Sequence, residues 1–411
     1  MAAALTAPSG PVALAPAFRL THTAVNSFKG SADNDPSYIM GLASPAAAAA
    51  AVAVAGSERE LKLYDRATLQ CTRTVAAPAH ADRVNEVSFA PPRSAAAGLL
   101  FSASSDGAVR AWDCGGGGGG GAAPSLELRG GREEVWSVSV SDGPLVAAGT
   151  QAALLLWDVR RADTPAARLE VHTDAVSAVR FQPGSATALV SGSVDGLICS
   201  IDCRQTNDDD AVTGVINEGR PVSSLGFFGP EPASHLHVLS SLETLSVWDL
   251  QQQAGTCLAR HDALRREVDM LGEEEAAAGA GDGIDYLVGC QYCPATQRLY
   301  LVAGEHCGTL HLLAVEKEAV VALASLRGGG GGAARGHTSD VRCFLWDGGG
   351  LLSGGEDARL CSWSPDTDAA AGSDATPLAS TSRKSAKPPA ARAGGAPARG
   401  GSGAPRRANP Y

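Results

Sequence analysis

Three stretches of this chain, 80–112, 172–201 and 337–363, repeat one text, and no other feature narrows the possible folds as far. Each begins with a histidine, His80, His172 or His337, and four residues later enters a run of alternating apolar residues. The runs are Val84-x-x-Val87-x-Phe89, Val176-x-x-Val179-x-Phe181 and Val341-x-x-Phe344-x-Trp346. Period two over the second half of such a run predicts a half-buried strand. A fixed spacing, Ser-x-x-x-Asp-x-x-x-x-x-Trp, follows. Ser102, Asp106 and Trp112 fill it in the first copy, and Ser353, Asp357 and Trp363 in the third; the second has Ser191 and Asp195 but ends on Ile201. In the first two copies glycine follows the aspartate, at Asp106-Gly107 and Asp195-Gly196. That dipeptide specifies a tight hairpin, because Gly accepts positive φ and Asp tolerates it while bonding its own backbone. Self-similarity of this kind points to a repeat architecture, so the 411-residue length does not by itself call for several domains.

Four more strand texts lack the full signature: Leu61–Asp65, Leu154–Asp158, Leu245–Asp249 and Thr309–Leu313. With the three copies they make seven, at intervals of roughly 40 to 65 residues. The dipeptides Trp157-Asp158 and Trp248-Asp249, the pair Gly336-His337 and the Ser-x-x-x-Asp turns resemble WD repeats. The resemblance covers roughly residues 15–365 and implies an all-β, seven-bladed WD-repeat β-propeller with four-stranded antiparallel blades. Shorter texts resemble one narrower group of that family, whose members also end in a basic tail. They are 190–198 followed by Asp208-Asp209-Asp210, 243–250, 285–289 and 352–360.

A propeller must tie its last blade to its first, since an open ring leaves bare sheet edges. The last repeat ends shortly after Trp363, so its outer strand is expected from the alternating segment Phe18–Val25. That placement sets the expected limits: a flexible 1–14, a propeller over 15–365, and a disordered tail over 366–411 rich in Ala, Gly, Ser, Pro and Arg. It also argues against a removable transit peptide extending past about residue 15, and the N-terminus lacks the positive start of a secretory signal.

His, Ser and Asp together invite a hydrolase reading. The resemblance implies instead that they form buried hydrogen-bond chains, indole to Ser, Ser to His and His to the turn Asp, that hold each blade's strands. Such a chain must be fully satisfied to stabilise anything. The chain in the second copy is expected to be shorter, with Ile201 in place of Trp, and the other four blades are expected to rely on apolar packing. No catalytic residue is assigned, and no enzyme is expected: neither a Gly-x-Ser-x-Gly elbow nor a His-Glu-x-x-His motif occurs. The glycine runs Gly115–Gly121 and Gly328–Gly332 lack the Gly-Lys-Ser/Thr ending of a phosphate loop and read as linkers. Cys290-Gln-Tyr-Cys293, with His306 and Cys307 downstream, could be drawn as a zinc site, but positions three apart on a strand face opposite ways. Neither metal nor cofactor is expected.

The expected function is that of a scaffold binding other proteins, a monomeric propeller within a complex. Arg83, Arg132 and Arg342 are candidate contacts on the face marked by the His and Asp residues. Trp157-Asp158-Val159-Arg160 resembles the pattern by which some WD-repeat proteins dock a cullin-ring ubiquitin-ligase adaptor, with Arg160 as the contact and Arg204 a weaker second. Charge bears on nucleic acid. The chain carries 33 Lys and Arg against 44 Asp and Glu, a net charge of −11, which opposes wholesale binding of a polyanion. Every acidic residue lies at or before Asp374, while Arg383, Lys384, Lys387, Arg392, Arg399, Arg406 and Arg407 follow it, so any RNA or ribosome-assembly contact is assigned to the tail. Asp208–Asp210 and Glu273–Glu275 are expected to be solvated loops or docking points for a basic partner. Ten scattered cysteines suit a reducing compartment, and no apolar run is long enough to span a bilayer, so nucleus or cytoplasm and no membrane is the expectation.

Overall fold

The computed structural model describes residues 18–26, 37–45, 50–115, 123–151, 153–205, 207–231, 233–251, 255–264, 284–294, 296–328, 336–346 and 350–365. The chain divides into two units, Met1–Ala371 and Gly372–Tyr411, and all the described residues belong to the first. The expectations for 1–14, most of both glycine runs, Glu273–Glu275 and the tail fall outside them.

The first strand, β1 (Phe18–Val25), precedes the blades. Blade 1 holds β2 (Ile39–Ala43), β3 (Ala51–Gly56), β4 (Leu61–Asp65) and β5 (Cys71–Ala76). Blade 2 holds β6 (Val84–Phe89), β7 (Leu99–Ser104), β8 (Ala108–Asp113) and β9 (Leu126–Arg129). Blade 3 follows with β10 (Val135–Val140), β11 (Leu145–Thr150), β12 (Leu154–Asp158) and β13 (Ala167–Leu169), and blade 4 with β14 (Val176–Phe181), β15 (Ala188–Ser193), β16 (Leu197–Asp202) and β17 (Val212–Asn217). Blade 5 is β18 (Val222–Phe228), β19 (His235–Ser240), β20 (Leu245–Asp249) and β21 (Thr256–His261); blade 6 is β22 (Tyr286–Cys293), β23 (Arg298–Gly304), β24 (Leu310–Val315) and β25 (Val320–Leu326). Blade 7 takes β26 (Val341–Trp346), β27 (Leu351–Gly355) and β28 (Arg359–Pro365), and completes its sheet with β1 on the outside of β28. Seven four-stranded antiparallel sheets therefore form a seven-bladed propeller, closed by the N-terminal strand. Asp208–Ala211 forms one helical turn, α1, between β16 and β17, where a loop was expected; only Ala211 of it is buried.

The run Val-x-x-Val-x-Phe now has a physical cause. Residues three apart cannot share a face of a regular strand. Every inner strand carries a β-bulge, at one rung in six blades (Ile39/Gly41, Val84/Glu86, Val135/Ser137, Val176/Ala178, Val222/Ser224 and Val341/Cys343) and two rungs further on in blade 6, at Leu287/Gly289. The extra residue lets Val84 and Val87 both point into the core, and it increases local twist at the rim. The apolar core itself lies between blades. Phe101 and Leu128 of blade 2 pack with Val146 and Trp157 of blade 3, and Tyr300 and Leu312 of blade 6 with Leu351 and Trp363 of blade 7.

At the closure, Asn26 follows β1 and is wholly buried. Its backbone N–H donates to Ala358 O of blade 7 at 2.7 Å. Its side chain turns to blade 1. Nδ2 donates to Ser37 O at 3.0 Å and Glu60 Oε1 at 3.1 Å, and Oδ1 accepts from Lys62 Nζ at 2.7 Å and Tyr64 Oη at 2.8 Å. One amide thereby saturates its donors and acceptor while joining the last blade to the first, and burial pulls the Lys62 ammonium below its usual pKa. Asn26→Ala takes one bond each from a buried carboxylate, ammonium and phenol, and is expected to cost about 3 kcal/mol in urea unfolding. A loss under about 0.5 kcal/mol, the scale of an ordinary surface change, would remove Asn26 from the closure.

Candidate interaction face and its hydrogen-bond sets

Each of the three repeated sets lies within hydrogen-bonding distance inside its own blade. In blade 2, Trp112 Nε1 donates to Ser102 Oγ at 2.9 Å, Ser102 Oγ lies 2.7 Å from His80 Nε2, and His80 Nδ1 lies 3.1 Å from Asp106 Oδ2. Blade 7 repeats this with Trp363, Ser353, His337 and Asp357, at 2.8 Å, 2.8 Å and 3.0 Å. Blade 4 holds His172, Ser191 and Asp195 at 2.9 Å and 3.1 Å, with Ile201 in the indole's place. One proton order satisfies each set: the indole donates to Ser, Ser donates to Nε2, and Nδ1–H donates to Asp. The aspartates also cap their own turns. Asp106 accepts from Ala81 N and Ala108 N, Asp195 from Thr173 N and Leu197 N, and Asp357 from Thr338 N and Arg359 N. Gly107 and Gly196 take φ of 80° and 82° in these turns, and Ala358 takes 59° where the third copy has no glycine.

Burial holds the His80 and His172 rings below the ordinary imidazole pKa, against the pull of Asp106 and Asp195. Burial also acts to raise those two aspartates, but it is outweighed. The backbone N–H of Ala81, the His80 ring and the charge of Arg110 lower Asp106; the N–H groups of Leu197 and Thr173 and the His172 ring lower Asp195. Each Ser is fully buried, so none can meet a substrate.

Blades 1, 5 and 6 do not rest on apolar packing alone, which corrects the expectation for those three. In blade 5, Glu218 stands four residues before Val222, the place of His80 before Val84. Its carboxylate accepts from Ser246 Oγ at 2.7 Å, Trp248 Nε1 at 3.1 Å and Arg260 Nη1 at 2.9 Å. In blade 6, Glu305 sits at the turn, bonded to His311 Nε2 at 2.7 Å and Cys307 Sγ at 3.1 Å, while His311 Nδ1 meets Ser325 Oγ. Blade 1 has the Asn26 cluster. Blade 3 has neither His nor Ser at these places: Ala148 stands where Ser102 does in blade 2, and the buried Trp157 indole N–H has no partner. The partners that complete blades 5 and 6, Arg260 and Ser325, come from outer strands that carry no repeat text.

Of the contact candidates, Arg83 is exposed, donates to Asn85 Oδ1 at 2.8 Å and stacks over Trp136 at 5.7 Å. Arg132 is exposed just before β10. Arg342 is held by Glu356 at 2.6 Å and Asp340 at 3.6 Å. Arg160 and Arg204 lie at the other ends of the strands, where β12 and β16 finish. Each folds onto the aspartate two residues earlier, Nε to Oδ1 at 2.9 Å in both. Cys290 packs between blades 5 and 6 and Cys293 between blades 6 and 7.

Two outcomes follow. In the folded protein His80 and His172 resist protonation that the unfolded chain accepts near pH 6.5, so stability is lost as pH falls below about 6.5. The melting temperature should fall between pH 7 and 5; a flat or rising trend contradicts neutral, buried rings. Ala148→Ser supplies Trp157 with the acceptor the marked blades have, and should raise the unfolding free energy by about 1 kcal/mol. A lower urea midpoint would show that the hydroxyl has no room there.

A family model described as "WD domain, G-beta repeat" matches residues 69–113 and 163–202. WD repeat-containing protein GTS1 of Arabidopsis thaliana is 33% identical over 332 residues, 78% of this chain and 79% of that protein. WD repeat-containing protein 89 homolog of Dictyostelium discoideum is 30% identical over 321 residues, 76% of this chain and 79% of that protein. Repeat text, closed ring and a likeness over about three quarters of the chain agree, and the chain belongs to the WD-repeat family.

Proposed function

We propose that the protein is a non-catalytic scaffold whose propeller, residues 15–365, binds other proteins through the face bearing His80, His172 and His337. One observation carries this reading: the constellation that resembles a hydrolytic triad is buried and fully bonded within its own blades. It fixes turns rather than exposing a nucleophile, and a rigid disc with variable loops is a surface for partners. Arg83 and Arg132 are exposed cations of that face, and Arg342, also exposed, is pre-positioned by two carboxylates. The ten cysteines are all free thiols, which favours the nucleus or cytoplasm. No helix among the described residues is long and apolar enough to cross a membrane.

A second reading, docking of a ubiquitin-ligase adaptor on the opposite face, draws support from the matched pairs Asp158–Arg160 and Asp202–Arg204, which present two guanidiniums alike on neighbouring blades. One experiment separates the two. Proteins co-purifying with the full chain are compared among wild type, Arg83→Glu with Arg132→Glu, and Arg160→Ala, all checked for an unchanged circular dichroism spectrum. The scaffold reading expects the double reversal to deplete its main partners at least about tenfold. An unchanged partner set would contradict it, and loss of an adaptor only in Arg160→Ala would favour the second reading.

A further inference from the structure

The loop 159–166 joins β12 to β13 at the end of blade 3 away from the histidine face. Backbone bonds pin it at both ends. Val159 N donates to Pro144 O at 2.9 Å, Arg161 N to Asp158 O at 2.8 Å and Ala166 N to Leu156 O at 2.7 Å. The loop frames a surface pocket of about 680 Å³ lined by Asp158, Arg160, Arg161, Thr164, Pro165 and Ala166. Three Ser-Pro or Thr-Pro dipeptides occur among the described residues, at 44–45, 164–165 and 364–365. Ser44 and Ser364 are half-buried, and only Thr164 is exposed. Its hydroxyl has no hydrogen-bond partner among the described residues.

Two cations share that pocket with the hydroxyl, and they are not equally engaged. Arg160 folds onto Asp158, Nε to Oδ1 at 2.9 Å. Arg161 is exposed and makes no salt bridge to a described residue. Its charge is nonetheless felt there: the bond from Arg160 holds the Asp158 carboxyl well below the usual carboxylate range, and Arg161 adds to the effect. Asp163, also exposed, stands beside Thr164, so Arg160 and Arg161 are balanced by Asp158 and Asp163. The surface around the hydroxyl is thus neutral in sum, with one guanidinium unspent.

We propose that Thr164 is a phosphorylation site for a proline-directed protein kinase, and that the phosphate is held in this pocket by Arg161. Pro165 offers no backbone N–H and has a fixed φ, the two features such a kinase can select after its acceptor residue. The co-substrate is ATP. The bond from Thr164 Oγ1 to the γ-phosphorus forms as the bond to the β-phosphate oxygen breaks; ADP leaves with that electron pair, and the hydroxyl proton passes to the kinase's base. The product adds about two negative charges and three strong acceptor oxygens, which a guanidinium pairs with well. A balanced surface becomes acidic, and this face of the disc changes what it attracts. The proposal goes beyond the scaffold reading and does not depend on it.

The test uses the full-length chain carrying Thr376→Ala, which removes the Thr-Pro of the tail. It is incubated with a purified mitogen-activated protein kinase, ATP and Mg²⁺, and the phosphorylated residues are located by mass spectrometry of tryptic peptides. Thr164, in the peptide 162–168, should be modified at least about tenfold faster than Ser44 or Ser364, as an exposed loop position is reached more readily than a packed one. Pro165→Ala should slow it by at least about tenfold. Phosphorus NMR then reads the seat of the phosphate. A free phosphothreonine takes up its second proton near pH 6, and a neighbouring guanidinium lowers that midpoint, so Arg161→Gln should raise it by at least about half a unit. Absence of phosphate from Thr164, or an undiminished rate in Pro165→Ala, overturns the site. A midpoint unchanged by Arg161→Gln overturns the seat.

Discussion

The pairing of β1 with β28 is the constraint on which the rest depends, because the inter-blade layers that hold the core exist only if the ring closes. Thr21 Oγ1 donates to Ser362 O at 3.0 Å across a sequence separation of 341 residues. Bringing such distant segments together costs chain entropy that grows only logarithmically with length, so a modest interface can hold them. Here the interface is a full strand register from Phe18 to Val25, followed at once by Asn26. Six layers between consecutive blades form from neighbours in sequence. The seventh, where Ile39, Val52 and Tyr64 meet Leu352 and Leu360, depends on that strand.

Within the ring, the blades solve one problem with different chemistry. An indole or hydroxyl at the end of the third strand must be satisfied where no water reaches, and the turn above it must be fixed. Blades 2, 4 and 7 use imidazole and aspartate; blade 5 replaces both with the Glu218 carboxylate and a guanidinium from its outer strand. Blade 6 moves the imidazole onto the third strand, at His311. Blade 3 has no such set, its Trp157 indole being unpartnered, and stacks through the apolar layer it shares with blade 2.

Fold, blade count and closing strand were legible because hairpins and alternation are local. The bulge was written in the three-residue step of Val84-x-x-Val87, yet that step looks like a flaw in a strand until the register is known. Glu218 could have been found from its position four residues before Val222. The Asn26 cluster could not: Asn26, Ser37 and Glu60 belong to no shared motif and meet only because β1 leaves blade 7 beside blade 1.

The account turns on which face of the disc meets partners. Hydrogen–deuterium exchange of the full chain, alone and with its principal co-purified partner, reads this directly. Protection is predicted in the segments 79–84, 131–136 and 337–342, on the face bearing His80 and His337. Protection confined to 159–166 and 203–208, at the far ends of blades 3 and 4, would contradict it.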